Sequence, residues 1–203
     1  MIAGILLAAG EGRRFGGGKL LQPLADGTPL ALAAADTLRR GGVERVMAVV
    51  RPDDPGLARH LEGAGAEAVP SAASERGMGA SLAAGVAAAP EAEGWLIALA
   101  DMPWIAPATV AAVAGAVRAG ALLAAPVHGG RGGHPVGFSA ALGDELRALD
   151  GDAGARGVVA GHRQRLVQVA VDDPGVLRDV DEPGDLREGP PPGGDPEGGR
   201  GGL

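Results

Sequence analysis

Two textures alternate along the chain. Residues 2–9 form an unbroken run of apolar and small side chains, as expected of a strand buried on both faces of a parallel sheet. The same texture returns at residues 45–50, 66–69, 95–100 and 121–126, more briefly at 135–138, and as a period-two alternation at 166–171. Helical signals fill the intervals. Residues 29–40 open on a proline suited to a first helical turn and stop at Gly41-Gly42. Residues 55–62, 81–89, 107–119, 140–149 and 153–160 also read as helices, 81–89 being entered from a turn at Gly77-Met78-Gly79, and 183–187 starts a last short one. Residues 129–133 read as a loop. The alternation predicts a single three-layer α/β/α, Rossmann-like domain with a mostly parallel sheet.

Ligands of such sheets sit outside the carboxyl ends of the strands. Three features fall on that edge: the loop from Gly10 to Lys19, Asp101, and the loop around His134. The first follows residues 2–9 and reads GEGRRFGGGK. A dinucleotide fingerprint needs glycine where Phe15 stands, and a Walker A loop needs glycine at Arg13 and a hydroxyl at Leu20. Hydride transfer and an ordinary P-loop are therefore not indicated. Glycines 10, 12, 16, 17 and 18 would let backbone N–H groups converge on an anion. Lys19 is the only lysine, against 17 arginines, which suggests a position that needs a compact ammonium.

Composition narrows the ligand. With 46% apolar residues in 203, the chain can bury a core, but aromatics are only 2%, so ring stacking is a minor resource. No cysteine is present, which removes disulfides and thiolate metal sites. The four histidines lack zinc-ligand spacing. Of the net charge of −7, −6 falls from Asp172 onward, leaving no broad basic footprint for nucleic acid. No signal peptide or membrane span is evident, so a cytoplasmic protein is expected. Residues 1–188 are expected to form the domain and 189–203, rich in Gly and Pro, a disordered tail.

The segment LAAGEGRRFGGGKLLQPL resembles the signature loop of the molybdenum cofactor cytidylyltransferases, within the MobA-like NTP transferases. The likeness falls on Leu7, Ala8, Ala9, Gly10, Arg14, Gly16, Lys19 and Pro23. It continues through GMGASLAAGV from Gly77, ADMP from Ala100, GGHPVGF from Gly132, GDAGARGVV from Gly151 and DVDEPGDL from Asp179, in family order over about residues 2–187. Two positions depart: Glu182 stands for the threonine of Asp-x-Asp-Thr-Pro, and Ser71-Ala72 for an Asn-Pro before the base-recognition segment.

The resemblance implies a nucleotide-diphospho-sugar transferase-like fold and transfer of CMP from CTP to molybdopterin cofactor. It implies nucleotide binding by Leu7, Ala8, Ala9, Gly10, Gly12, Arg14, Lys19, Gly79, Ser81 and Asp101. Arg14, Lys19 and Asp101 would carry the chemistry. Asp101 and Asp181, with Asp179 as fallback, would hold Mg²⁺, which favours one or two carboxylates beside phosphate oxygens. His134 and Arg131 would face the acceptor. A molybdenum hydroxylase or its maturation chaperone would be the downstream partner; neither nucleic acid nor membrane is expected. Plainer roles stay open: Asp101 as a turn or cap residue, His134 and the acidic run as solvated loop, Ser81 as a helix cap. So do a guanylyl or sugar- or alcohol-phosphate transferase, and a non-catalytic cofactor chaperone.

Overall fold

In a strand covered on both faces, alternate side chains enter two different cores, and this decides how the sheet is built. The structure, a computed structural model, describes residues 1–10, 15 and 17–187. Its first strand, β1 (Ile2–Leu7), sends Ile2 and Leu6 into one apolar cluster and Ala3 and Ile5 into the other. The neighbours β2 (Arg45–Val50) and β4 (Gly94–Leu99) divide in the same way, with Ala48 and Leu96 on the first face and Val49 and Trp95 on the second.

Helices α1 (Leu30–Arg40), α2 (Pro55–Gly63) and α4 (Pro107–Arg118) cover the first face through Leu38, Leu61 and Val113. Helices α3 (Met78–Ala87), α5 (Gly143–Arg147) and α6 (Arg156–Gly161) cover the second through Leu82, Leu146 and Val158. The result is a helix–sheet–helix sandwich, a single α/β domain as the alternation predicts.

The sheet is mixed. β3 (Glu67–Pro70), β2, β1 and β4 are adjacent in that order and parallel. β7 (Val136–Ser139) then runs antiparallel between β4 and β5 (Leu123–His128). β8 (Leu166–Ala170) lies parallel to β5 and takes the whole span Leu123–Val127. The two-residue strand β6 (Arg131–Gly132) pairs Val127 and His128, so it must share β7's edge of β5.

Several expectations shift by a few residues and four change character. Residues 129–133, expected as a loop, contain β6, because the antiparallel return of the chain supplies β5 with a partner. α3 starts at Met78, so Gly77-Met78-Gly79 is the helix entrance and not a turn before it. Residues 140–149, expected as one helix, split into a 3-10 turn at Ala140–Leu142 and the short α5. The end near 183–187 is likewise a 3-10 turn, Asp185–Arg187. The expected tail lies outside the described residues.

The last described segment positions the site. After β8 the chain turns back as a strap across the carboxyl edge of the sheet. Val171 N–H donates to the Val127 carbonyl (3.0 Å), the Val176 carbonyl accepts from His134 N–H (3.0 Å), and Val180 N–H donates to the Asp101 carbonyl (2.9 Å). The strap therefore passes β5, then the start of β7, then the end of β4. Val176 and Val180 on the strap are fully buried.

Candidate active site

At the carboxyl edge a cleft of about 1010 Å³ is lined by Leu7, Ala9, Gly10 and Lys19 from the first loop and by Arg51 after β2. Ser74, Gly77, Met78 and Ser81 line it around the α3 entrance, and Asp101, Asp152 and Asp181 supply carboxylates. Segments far apart in sequence thus open into one space, as the sheet-edge rule anticipates.

Lys19 begins a 3-10 turn, Lys19–Leu21, whose Leu20 and Leu21 pack against the first-face core. With the turn anchored by its leucines, the lysine points inward. Its Nζ donates to Asp101 Oδ2 at 2.9 Å, and the two side chains are only 11% and 28% exposed. Partial burial makes this pair stronger than a surface ion pair. The ammonium also lies 5.8 Å from the Phe15 ring centroid. Asp101 follows β4 directly, where Ala100 N–H donates to the Leu7 carbonyl (3.1 Å) and ties the ends of β4 and β1 together. Asp101 is thus a turn residue by position and the lysine's partner by contact.

The α3 entrance closes the other wall. Gly77 has φ 118° and ψ −174°, a conformation that side chains rarely adopt, and a Cβ there would overlap the Asp152 carboxylate and the Gly151 backbone. Gly79 N–H donates to the Gly151 carbonyl at 2.7 Å, so this amide is committed to the protein. Ser81 lies inside the first turns of α3, buried, and its Oγ donates to the Gly77 carbonyl (3.1 Å). It is not the N-cap, which is Gly77. Ser74 Oγ is buried without a hydrogen-bond partner at the same wall.

His134 is half-buried at the start of β7, its Nδ1 facing the Ile97 carbonyl at 3.5 Å, and its peptide bond to Pro135 is cis. Burial pushes its pKa below the ordinary 6.5, partly opposed by the Ile97 carbonyl and the carboxylates of Asp101 and Asp179, so the ring is neutral at pH 7. Arg156 also acts on it, in the lowering direction. Arg131 is exposed on β6 and is not among the cleft-lining residues. Ala8 is buried behind the loop, donating to Val49 O at 2.9 Å. Gly12 and Arg14 lie outside the described residues.

Asp181 reaches the cleft because Val180 is fixed to Asp101. Asp185 orders the next turn: its Oδ2 accepts from the amides of Asp181 and Glu182, both at 2.8 Å, and those bonds hold its pKa below the usual carboxylate value. Asp179 is exposed on the same segment.

A divalent cation fits these donors. Asp101 and Asp181 put two carboxylates on one cleft, with the Lys19 ammonium beside the first of them. Among the described residues no group of three or more ligands converges. Mg²⁺ does not need one, since phosphate oxygens and water complete its shell. Sequence reasoning missed Arg51, Ser74, Glu75, Met78 and Asp152 as cleft-lining residues. Met78 and Asp152 stand in the resembling segments from Gly77 and Gly151, which could have flagged them, whereas nothing in the local pattern marks Arg51, Ser74 or Glu75, which the fold brings to the edge.

Residues 4–168 match the MobA-like NTP transferase domain. The chain belongs to the MobA-like NTP transferase family. Rv0371c from Mycobacterium tuberculosis H37Rv has a similar structure, with 32% sequence identity, a TM-score of 0.78, and 92% of this chain and 97% of that one covered. That protein has also been solved in complex with manganese. A nucleotidyl transferase from Methanothermobacter thermautotroptrophicus superimposes with TM-score 0.76 at 25% identity, covering 91% and 94% of the two chains. Nicotine blue oxidoreductase from Paenarthrobacter nicotinovorans is 34% identical over 175 residues, 76% of this chain and 79% of that protein. Among the described residues, no helix is long and apolar enough to cross a membrane.

Proposed function

We propose that this chain transfers CMP from CTP to the terminal phosphate of molybdopterin cofactor and releases pyrophosphate. The observation that carries nucleotidyl transfer is the Lys19–Asp101 pair at 2.9 Å, which puts a cation for a polyphosphate beside a carboxylate for a metal on one cleft edge. Support for the cofactor as acceptor comes from the sequence: GGHPVGF and DVDEP accompany the glycine loop in the family the chain resembles.

An oxygen of the acceptor phosphate forms a bond to the α-phosphorus, and the bond from that phosphorus to the bridging oxygen breaks. The electron pair leaves with pyrophosphate. The nucleophile is already ionised, so no general base is required. This suits a site whose nearby histidine, His134, is neutral, turned toward a backbone carbonyl and not among the cleft-lining residues. The protein's contributions are alignment and charge neutralisation. Lys19 would meet the leaving phosphates, joined by Arg14. Gly10, Leu7 and Ala9 would lie along the nucleotide, with Ala8, Gly12, Gly79 and Ser81 shaping its site. Asp101 and Asp181 would hold Mg²⁺, which when bound neutralises triphosphate charge. His134 would face the pterin, with Arg131 at the outer rim. The product would pass to a molybdenum hydroxylase or its chaperone in the cytoplasm.

A second reading comes from the likeness to nicotine blue oxidoreductase: an oxidation–reduction reaction, testable with a reduced dinucleotide as the electron donor. The loop's departure from a dinucleotide fingerprint at Phe15 supports nucleotidyl transfer over it. One assay separates the readings. Purified chain receives Mg²⁺, molybdopterin cofactor and each NTP in turn, with pyrophosphate measured; NADH and NADPH oxidation is followed in parallel. Release with CTP alone is expected. Release with GTP instead would make it a guanylyltransferase, and reduced-dinucleotide oxidation without pyrophosphate would establish the second reading. Cofactor binding without either reaction would indicate a chaperone.

A further inference from the structure

Asp173 is an acidic residue that the site does not use and that the protein nonetheless buries, at 7% exposure. A carboxylate placed there must be hydrogen-bonded or it costs folding energy. Its partners are specific. Oδ2 accepts from Ala106 N–H at 2.8 Å and from the Thr109 hydroxyl at 2.6 Å, and Oδ1 accepts from Gly175 N–H at 3.0 Å. Ala106 and Thr109 belong to the entrance of α4, which follows Asp101 after a few residues. Gly175 belongs to the strap. The carboxylate therefore bolts the strap to the segment that continues from the end of β4.

Beyond that bolt the strap makes three further contacts. The Val176 carbonyl holds His134 N–H, and Gly133 has no room for a Cβ because the Val176 carbonyl occupies it. The Arg178 guanidinium stacks on the Trp104 ring, 4.3 Å from its centroid. Val180 N–H holds the Asp101 carbonyl, and Asp181 follows at once. One segment thus sets the position of His134 relative to Asp101, and of Asp181 relative to both.

We infer that Asp173 is a positioning residue, which sets divalent-cation affinity by fixing the strap so that Asp181 stands opposite Asp101. It touches neither the cation nor any substrate. This rests on the assignment of Asp101 and Asp181 as metal ligands made above. Outer-shell partners of metal ligands typically change affinity by about 10- to 100-fold when removed.

The test is a Mn²⁺ titration of the purified chain without nucleotide, read by loss of the free-ion electron paramagnetic resonance signal. Asp173→Asn should weaken Mn²⁺ binding by about tenfold. Thr109→Val, which removes one hydrogen bond and keeps the shape, should weaken it in the same direction by less, and carries the test if Asp173→Asn does not fold. Leu61→Ala, a core truncation in α2, should lower the melting temperature and leave Mn²⁺ affinity unchanged, which a merely structural role for Asp173 would not predict. The inference is overturned if Thr109→Val and a folded Asp173→Asn bind Mn²⁺ as the unsubstituted chain does while Asp101→Ala has lost it. Full binding by Asp101→Ala, or none by the unsubstituted chain, would overturn the metal assignment itself and this inference with it.

Discussion

On the β1 side of the cleft, the groups that meet come from adjacent parallel strand ends. Lys19 lies on the loop that follows β1, Asp101 follows β4, and β1 and β4 are hydrogen-bonded along their whole length. On the other side, Asp181 reaches the cleft on a strap that has crossed the sheet edge, and His134, outside the cleft lining, stands just before an antiparallel strand. Strand register places Asp101 beside the end of β1, and the packing of Leu20 and Leu21 turns Lys19 toward it. The second set depends on a buried carboxylate and a handful of backbone hydrogen bonds. The Lys19–Asp101 pair is therefore carried by the sheet and its packed loop, whereas Asp181 and His134 are fastened onto it, so substitutions far from the cleft should disturb the second set more than the first.

The largest effect should come from the sheet-borne pair. Lys19→Ala and Asp101→Ala are each expected to lower kcat/KM by about 100-fold or more, in line with removal of a charge-stabilising group. Melting temperature should stay close to that of the unsubstituted chain; activity within a few-fold of normal in either variant would break the comparison at its stronger end. Gly77→Ala should come next, as a stability effect. The strained φ and the overlap with Asp152 should cost about 1–3 kcal/mol in denaturant unfolding. An unchanged midpoint would show that the α3 entrance is softer than the geometry implies.

His134 gives a smaller, pH-dependent signal. Its folded pKa lies below 6.5, so the unfolded chain binds the proton more readily. Its contribution to stability is complete above pH 6.5 and declines as pH falls from there through the depressed folded value. His134→Gln should flatten that part of the melting-temperature profile; a profile of unchanged slope would place the acid sensitivity elsewhere. Arg131→Ala should do least: a KM increase of about two- to five-fold for the acceptor, on the scale of one rim contact, with the KM for CTP unchanged. A large loss would move the acceptor's phosphate out to β6.

These differences follow what sequence could and could not carry. Apolar runs, caps and glycine stops encode the strands and most helices, and Lys19 and Asp101 stand next to such runs, so both were legible. β6 was not, because two residues acquire strand character only when β5 is beside them. The α3 entrance was misread because glycines argue against helix locally, while the contact of Gly79 with Gly151 is tertiary. Nothing in the local pattern singles out Asp173. Its burial depends on Ala106 and Thr109, which lie more than sixty residues away.

The central claim is transfer of a nucleotidyl group at the Lys19–Asp101 edge. Its most direct test is CTP labelled at the α-phosphate, incubated with the chain, Mg²⁺ and molybdopterin cofactor. The account predicts that label moves to the cofactor with one pyrophosphate released per transfer, and that Lys19→Ala abolishes both. Label remaining entirely in CTP while the chain oxidises a reduced dinucleotide would contradict it.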